Sequence, residues 1–184
     1  NNQDDYSSSV KSALSLDASE QRARDLRTML GTDIEFTPRR RQDPDVVFLL
    51  SRSGAEARSI KPMLAFHYAG NLPVYTLPTI YNGVPDERNQ DLNGIHLVAT
   101  PWLLGASPGL RDTLATGDAG SGNYTQLNAL GADAFLVQSN FIRLQSGADA
   151  LFRGNTGLLS MDPNLRIRRE LSAATFDGGA LKAQ

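Results

Sequence analysis

Asp45–Thr79 reads DVVFLLSRSGAEARSIKPMLAFHYAGNLPVYTLPT, and its pattern decides the fold. An apolar run, Val46 to Leu50, comes first. It is apolar on both faces, as a strand buried in a parallel sheet must be. Ser53 and Glu56 follow at capping-box spacing. There the hydroxyl can accept from the Glu56 N–H, and the carboxylate can reach back to the Ser53 N–H. A helical segment runs on to Gly70, a natural helix stop. Pro62 lies inside it and is expected to kink or split it, because proline lacks an N–H and its ring crowds the preceding turn. After the break Gly70-Asn71-Leu72-Pro73, Val74 to Leu77 is a second β-rich run. The sum is a β–α–β unit. Parallel sheets bind ligands just past the carboxyl ends of their strands. Ser51, Arg52, Ser53, Thr79 and Tyr81 lie just past those ends and are candidate cleft residues.

Toward the N-terminus, residues 1–9 are polar and serine-rich and are expected to be mobile. Val10 to Leu16 suggests a separate helical turn. Asp17 and Glu20 form a further capping box for a helix from Ala18 to Leu30, with Ala23, Leu26 and Leu30 at helical spacing and Gly31 as the stop. Ile34 and Phe36 alternate with polar neighbours, so Asp33 to Thr37 reads as a half-buried strand. Pro38 and Pro44 bracket a polar loop that carries Arg39, Arg40 and Arg41.

Toward the C-terminus, Tyr81 to Gly94 is a polar connection, either a surface loop or a link between lobes. Gly94 to Thr100 is another strand, followed by Pro101 and Trp102. Trp102, just past a strand end, joins the candidates for lining a cleft or an interface. Ser107-Pro108 has the signature of a helix start, and Leu110 and Leu114 give that helix an apolar edge. From Tyr124 to Leu144, apolar residues at 127, 130, 134, 137, 141 and 144 step by three and four. That spacing predicts one long amphipathic helix. Gly131 near its middle is a close-packing point or a kink. In the tail, Leu158 to Met161, a turn at Asp162-Pro163-Asn164 and an alternating run from Leu165 to Ala173 predict an antiparallel hairpin.

The 184 residues suffice for one domain with a core, or for two small lobes. A net charge of −2 offers no global reason to bind nucleic acid or an anionic membrane. The absence of cysteine excludes disulfides, thiolate metal sites and cysteine nucleophiles. It suits a cytosolic and a periplasmic protein equally. His67 and His96 have no second histidine at ligand spacing, so no metal is expected. The serines lack the frame of a nucleophile elbow. The segment Ser51–Ala57 has one glycine and no Walker lysine, which argues against nucleotide binding. No carboxylate pair stands out for acid–base work. No cofactor and no catalytic residues are expected.

Three stretches in combination carry a family resemblance: Arg39–Gly83, Asp91–Trp102 and Leu127–Val137. Within them, Arg41-Gln42-Asp43, Ile60-Lys61-Pro62, His67-Tyr68-Ala69-Gly70 and Pro101-Trp102 are the distinctive steps. They resemble the C-terminal domain of the LpoA/LppC outer-membrane lipoproteins, activators of a class A penicillin-binding protein. The tail from Gly154 to Leu171 also fits, so the likeness covers most of the chain from about residue 10.

The resemblance implies an α/β fold of the type I periplasmic-binding-protein kind, a two-lobed parallel-sheet sandwich. It implies that this chain is the later part of that domain and lacks its first half. Residues 10–80 would belong to the second lobe, residues 94–150 would return to the first, and residues 151–184 would form a crossover hairpin and tail. A lobe with missing strands exposes apolar sheet, so the chain is expected to fold poorly alone and to need the remainder of its own domain as a partner. The implied function is non-enzymatic: a periplasmic regulator that binds a class A penicillin-binding protein and stimulates peptidoglycan crosslinking. It would be held at the outer membrane only through a lipid anchor absent from this chain.

The second reading is a periplasmic receptor for a small polar ligand. It would bind in an interlobe cleft built from Ser51, Arg52, Ser53, Thr79, Tyr81 and Trp102. A polar pocket of about 300 Å³ or more would favour it, and a cleft filled by large side chains would favour a scaffold. Arg39, Arg40 and Arg41 are the candidate protein contacts.

Overall fold

The computed structural model describes residues 3–114, 125–146 and 150–184. Its centre is the β–α–β unit: β1 (Val47–Leu49), α3 (Gly54–Phe66) and β2 (Val74–Thr76), with β1 and β2 parallel. A third strand, β3 (Ile95–Ala99), extends the parallel set. Two antiparallel strands from the tail, β7 (Ser172–Asp177) and β8 (Ala180–Ala183), complete a five-stranded sheet in the order β1-β2-β3-β7-β8. They meet at Gly178-Gly179, where φ is +62° and +76°. Both central residues of a two-residue hairpin turn of this hand need positive φ, which glycine adopts without Cβ strain.

One face of this sheet is packed. Leu49, Val74, Ile95, Leu97, Ala174 and Phe176 join Val10 of α1 (Gln3–Ala13), Leu14 just after it, and Ala57 and Leu64 of α3 in a single core. The other face, which carries Phe48, Tyr75 and Val98, is exposed. The strands are therefore apolar on both faces, as their sequence requires, but covered on one.

Between β3 and β7 the chain makes a long excursion. It builds α4 (Pro108–Leu114), α5 (Thr125–Ser139), α6 (Phe141–Ser146) and a separate antiparallel sheet. That sheet is β4 (Phe152–Arg153), β5 (Leu158–Met161) and β6 (Ile167–Glu170). Leu171 alone separates β6 from β7, so nearly continuous extended chain passes from one sheet to the other.

Several local expectations change. The N-terminal serines are helical: α1 begins at Gln3 and α2 spans Leu16–Leu30. Ser15, not Asp17, occupies the N-cap of α2, in a left-handed conformation and without a side-chain cap. Residues 33–37 alternate in burial but belong to no strand, because no neighbouring strand pairs with them. Pro62 lies inside a continuous α3. The connection after Tyr81 is ordered and includes the 3-10 segment Glu87–Leu92, packed against α3. The long helix expected from Tyr124 to Leu144 is broken at Asn140 into α5 and α6. Its apolar residues do not form one buried stripe. Only Ala129, Asp133 and Leu144 are buried, while Phe135 is 76% exposed. Tyr124 and residues 117–122 lie outside the described residues.

Candidate functional site

The carboxyl ends of β1 and β2 are shaped by hydrogen bonds to α3 and its neighbours. The Ser53 hydroxyl accepts from the Glu56 N–H at 3.2 Å, as the capping-box spacing requires. The Glu56 carboxylate, however, reaches one residue further back. It accepts the Arg52 N–H at 2.8 Å and the Ser51 hydroxyl at 3.2 Å. Ser51 is buried, and its single hydroxyl proton is shared between that carboxylate and the Ser53 carbonyl, 2.7 Å away. Thr79 donates its hydroxyl to the Ser51 carbonyl at 3.0 Å, which ties the end of β1 to the turn after β2. A Cβ at Gly54 would lie 2.5 Å from the Ile80 carbonyl oxygen, so only glycine permits this approach of helix and turn.

A cleft of about 710 Å³ opens over this junction. Arg52, Ser53, Thr79 and Tyr81 line it, together with Arg58, Arg88 and Thr125 from the start of α5. Much of its charge is already committed. The Arg58 guanidinium donates to the Asn89 side-chain oxygen at 2.8 Å. Arg88 grips Asp86 through several hydrogen bonds, and that guanidinium holds the Asp86 carboxyl down to about 2. Tyr81 is buried edge-on against Phe176, with ring centroids 5.4 Å apart. Burial pushes its phenol above the ordinary range.

Four of the six candidate cleft residues thus meet at one cleft, and two do not. Ser51 supports the turn from behind. Trp102 is 2% exposed and lies in the core, stacked beneath the Arg111 guanidinium at 5.2 Å. Its backbone N–H donates to the Asn155 carbonyl at 2.9 Å. The apolar indole is drawn inside by packing, which a position just past a strand end does not reveal.

A second cavity, of about 1230 Å³, lies between α4, α5 and the junction of β6 and β7. Leu110, Leu127 and Phe135 line one side, and Arg153, Glu170 and Ser172 the other. Sequence reasoning missed it. Its walls come from α4, α5 and the β6–β7 junction, segments far apart in the chain, so local spacing carries no signal for it.

The candidate protein contacts divide as well. Arg40 donates to the Tyr68 carbonyl at 2.8 Å and to the Arg41 carbonyl at 2.9 Å. Arg41 pairs with Asp43, whose carboxyl it holds at about 2. Arg39 is exposed, and its backbone N–H donates to the Ser19 hydroxyl at 3.3 Å. Among the described residues, no group of three His, Cys, Asp or Glu side chains is placed to hold a metal ion. No described helix is long and apolar enough to cross a membrane.

Comparison with known proteins places this geometry. The chain is 26% identical over 167 residues to the penicillin-binding protein activator LpoA of Vibrio cholerae. That match covers 90% of this chain and 28% of the relative, so the chain spans little more than a quarter of that protein's length. The solved C-domain of LpoA (YraM) from Haemophilus influenzae, described as a regulator of PBP1A, superposes with a TM-score of 0.63 at 20% identity. It matches 90% of this chain and 56% of that one. A structure from Chromobacterium violaceum, bearing the provisional name of a branched-chain amino acid ABC transporter, superposes with a TM-score of 0.53 at 24% identity. It covers 86% of this chain and 56% of that one. The fold is thus α/β, of the periplasmic-binding-protein kind. The family model described as "LppC putative lipoprotein" matches residues 1–179, and the chain belongs to that family.

Proposed function

We propose that this chain is the later part of the C-terminal domain of a periplasmic regulator that binds and activates a class A penicillin-binding protein. The observation that carries the reading is the family match over residues 1–179, joined to the likeness to a C-domain described as a regulator of PBP1A. The regulator acts by binding and performs no chemistry of its own. Contact with the synthase stimulates peptidoglycan crosslinking, and a lipid anchor elsewhere in the longer protein holds it at the outer membrane. In this reading residues 10–80 belong to the second lobe, residues 94–150 to the first, and residues 151–184 cross between them. Arg39 is the arginine of its loop most available to a partner, because Arg40 and Arg41 are held by neighbouring groups. The test is pull-down of the complete domain against purified peptidoglycan synthases, with an assay of glycan polymerisation and crosslinking. Binding with increased crosslinking is expected; neither binding nor stimulation would sink the reading.

One observation favours a second reading, a receptor for a small polar ligand. The cleft at the strand ends, about 710 Å³, exceeds the roughly 300 Å³ at which ligand pockets begin, and its lining is polar. Thermal-shift screening with amino acids and muropeptide fragments tests it. A ligand at 100 times its Kd adds about 2.7 kcal/mol of stability, and no shift with any compound argues for a scaffold.

A further inference from the structure

Among the described residues, β6 is an open edge of the small sheet: in the order β4-β5-β6 it pairs with β5 on one side only. The register fixes which of its backbone groups are free. Asp162 donates its N–H to the Arg166 carbonyl at 2.9 Å, so that pair is hydrogen-bonded, and by alternation so is Ser160–Arg168. The N–H and C=O groups of Ile167 and Arg169 therefore point out of the open edge. Ile167, Arg168, Arg169 and Glu170 are all exposed, as is Arg166 just before them.

The charge on this edge is mostly of one sign. Residues 152–170 carry Arg153, Arg166, Arg168 and Arg169 against Asp162 and Glu170, in a chain whose net charge is −2. Asp162 is committed to its own turn. Its carboxylate accepts the Asn164 and Arg166 backbone N–H groups at 2.9 and 3.0 Å and meets the Arg168 guanidinium only at 3.4 Å. Among the described residues, Arg166 and Arg169 have no acidic partner. Charges of either sign keep an edge from pairing with copies of itself. A run of arginines left uncompensated goes further, because it repels basic strands and attracts acidic ones. A groove of about 390 Å³ opens beside the edge, lined by Leu151, Leu158, Ser160, Arg168, Arg169 and Glu170.

We infer that β6 is a docking edge for an extended, acidic segment of the synthase partner, which adds to this sheet as a further strand. The inference rests on the regulator reading above and names a contact surface for it. Free N–H and C=O groups at strand spacing are matched by another polypeptide backbone, which favours a protein over a glycan or a lipid surface. Arg166 and Arg168 share one face of the strand, and Ile167 lies on the other. The segment that fits therefore alternates acidic with apolar residues.

The test places Arg166→Glu, Arg168→Glu and Arg169→Glu together in the complete domain and titrates it with a purified class A synthase. The Kd should rise by on the order of 10-fold or more relative to the wild type, with the melting temperature unchanged. The same three positions changed to lysine keep the charge and should bind within a few-fold of the wild type. Wild-type affinity should fall as salt rises from about 50 to about 300 mM, and the reversal should flatten that dependence. Should the triple reversal lower the melt, Arg166→Glu alone, which breaks no side-chain contact among the described residues, must still weaken binding. A bound wild type with an undiminished reversal would overturn the docking edge alone. No binding by the wild type would overturn the regulator reading and the edge together. A reversal that loses only binding to vesicles containing phosphatidylglycerol, with the synthase titration intact, would assign the arginines to a membrane and overturn the inference.

Discussion

Thr156 donates its hydroxyl to the Asp133 carboxylate at 2.6 Å and its backbone N–H to the same oxygen at 2.7 Å. The other carboxylate oxygen accepts the Asn155 backbone and side-chain N–H groups at 2.7 and 3.1 Å. Asp133 is 3% exposed, yet four donors satisfy it. This clamp fastens α5 to the turn between β4 and β5, and that turn in turn holds Trp102 through the Asn155 carbonyl.

Removing the clamp should be costly. Asp133→Ala leaves buried donors on Asn155 and Thr156 without an acceptor, and is expected to destabilise the chain by about 2–4 kcal/mol. Asp133→Asn, which keeps the volume and one good acceptor, should cost less. Urea unfolding followed by Trp102 fluorescence measures both, since Trp102 is the single tryptophan of the chain and its backbone N–H bonds to Asn155. Equal and negligible losses would show that the clamp is dispensable.

Gly54→Ala tests the close approach beneath the cleft. The added methyl would meet the Ile80 carbonyl oxygen at 2.5 Å, and both groups are held by backbone. The helix start must shift, at a cost of about 1–3 kcal/mol. Gly109→Ala, where nothing lies within 4 Å, should leave the melting temperature nearly unchanged.

Stability should fall as the solution is acidified through the histidine range. Burial of His67 lowers its pKa, Lys11 lowers it further, and Glu20 and Asp17 oppose the shift. The folded state thus binds a proton at His67 less readily than the unfolded chain, whose histidine titrates near about 6.5. The contribution is constant above that value and is lost as pH falls below it, because the unfolded state then takes up more protons. His67→Gln should flatten the slope of stability against pH between about 5 and 7. An unchanged slope would assign the effect elsewhere.

Arg40 and Arg39 should separate stability from recognition. Arg40 holds the carbonyl of Tyr68, a residue with φ of +61° just after α3. Arg40→Ala is expected to cost about 1 kcal/mol through that hydrogen bond. Arg39→Ala should leave the melt unchanged and, on the proposed function, weaken capture of a peptidoglycan synthase by the complete domain. Calorimetry and a binding titration on both variants check the division.

Arg41→Ala should return the Asp43 carboxyl from about 2 toward the ordinary aspartate range, since the guanidinium hydrogen bond is the main cause of its depression. Carbon-detected NMR titration of the side chain reads this directly.

The sequence by itself determined the β–α–β unit, the strand at residues 95–99 and the β5–β6 hairpin. These depend on alternation, helix caps and turn residues a few positions apart, and local sterics suffice to set them. Ser53 at the cap of α3 and the stop at Gly31 were legible for the same reason, whereas α3 ends at Phe66 and the left-handed turn after it falls on Tyr68, not on Gly70. The family could also be read, because its distinctive steps are contiguous.

Only the tertiary structure decided which faces are covered. Phe48 and Leu49 are neighbours of similar hydrophobicity, yet one is exposed and the other buried, because α1 and α3 pack on a single side. Trp102 went into the core and not the cleft because its surroundings come from residues 111 and 155, both distant from the strand that precedes it. Asp133 lay unnoticed in an apolar helix, since its partners are more than twenty residues away and nothing in local spacing announces them. Burial is a property of pairs of distant segments, and a sequence read segment by segment carries the apolar surface without saying what will cover it.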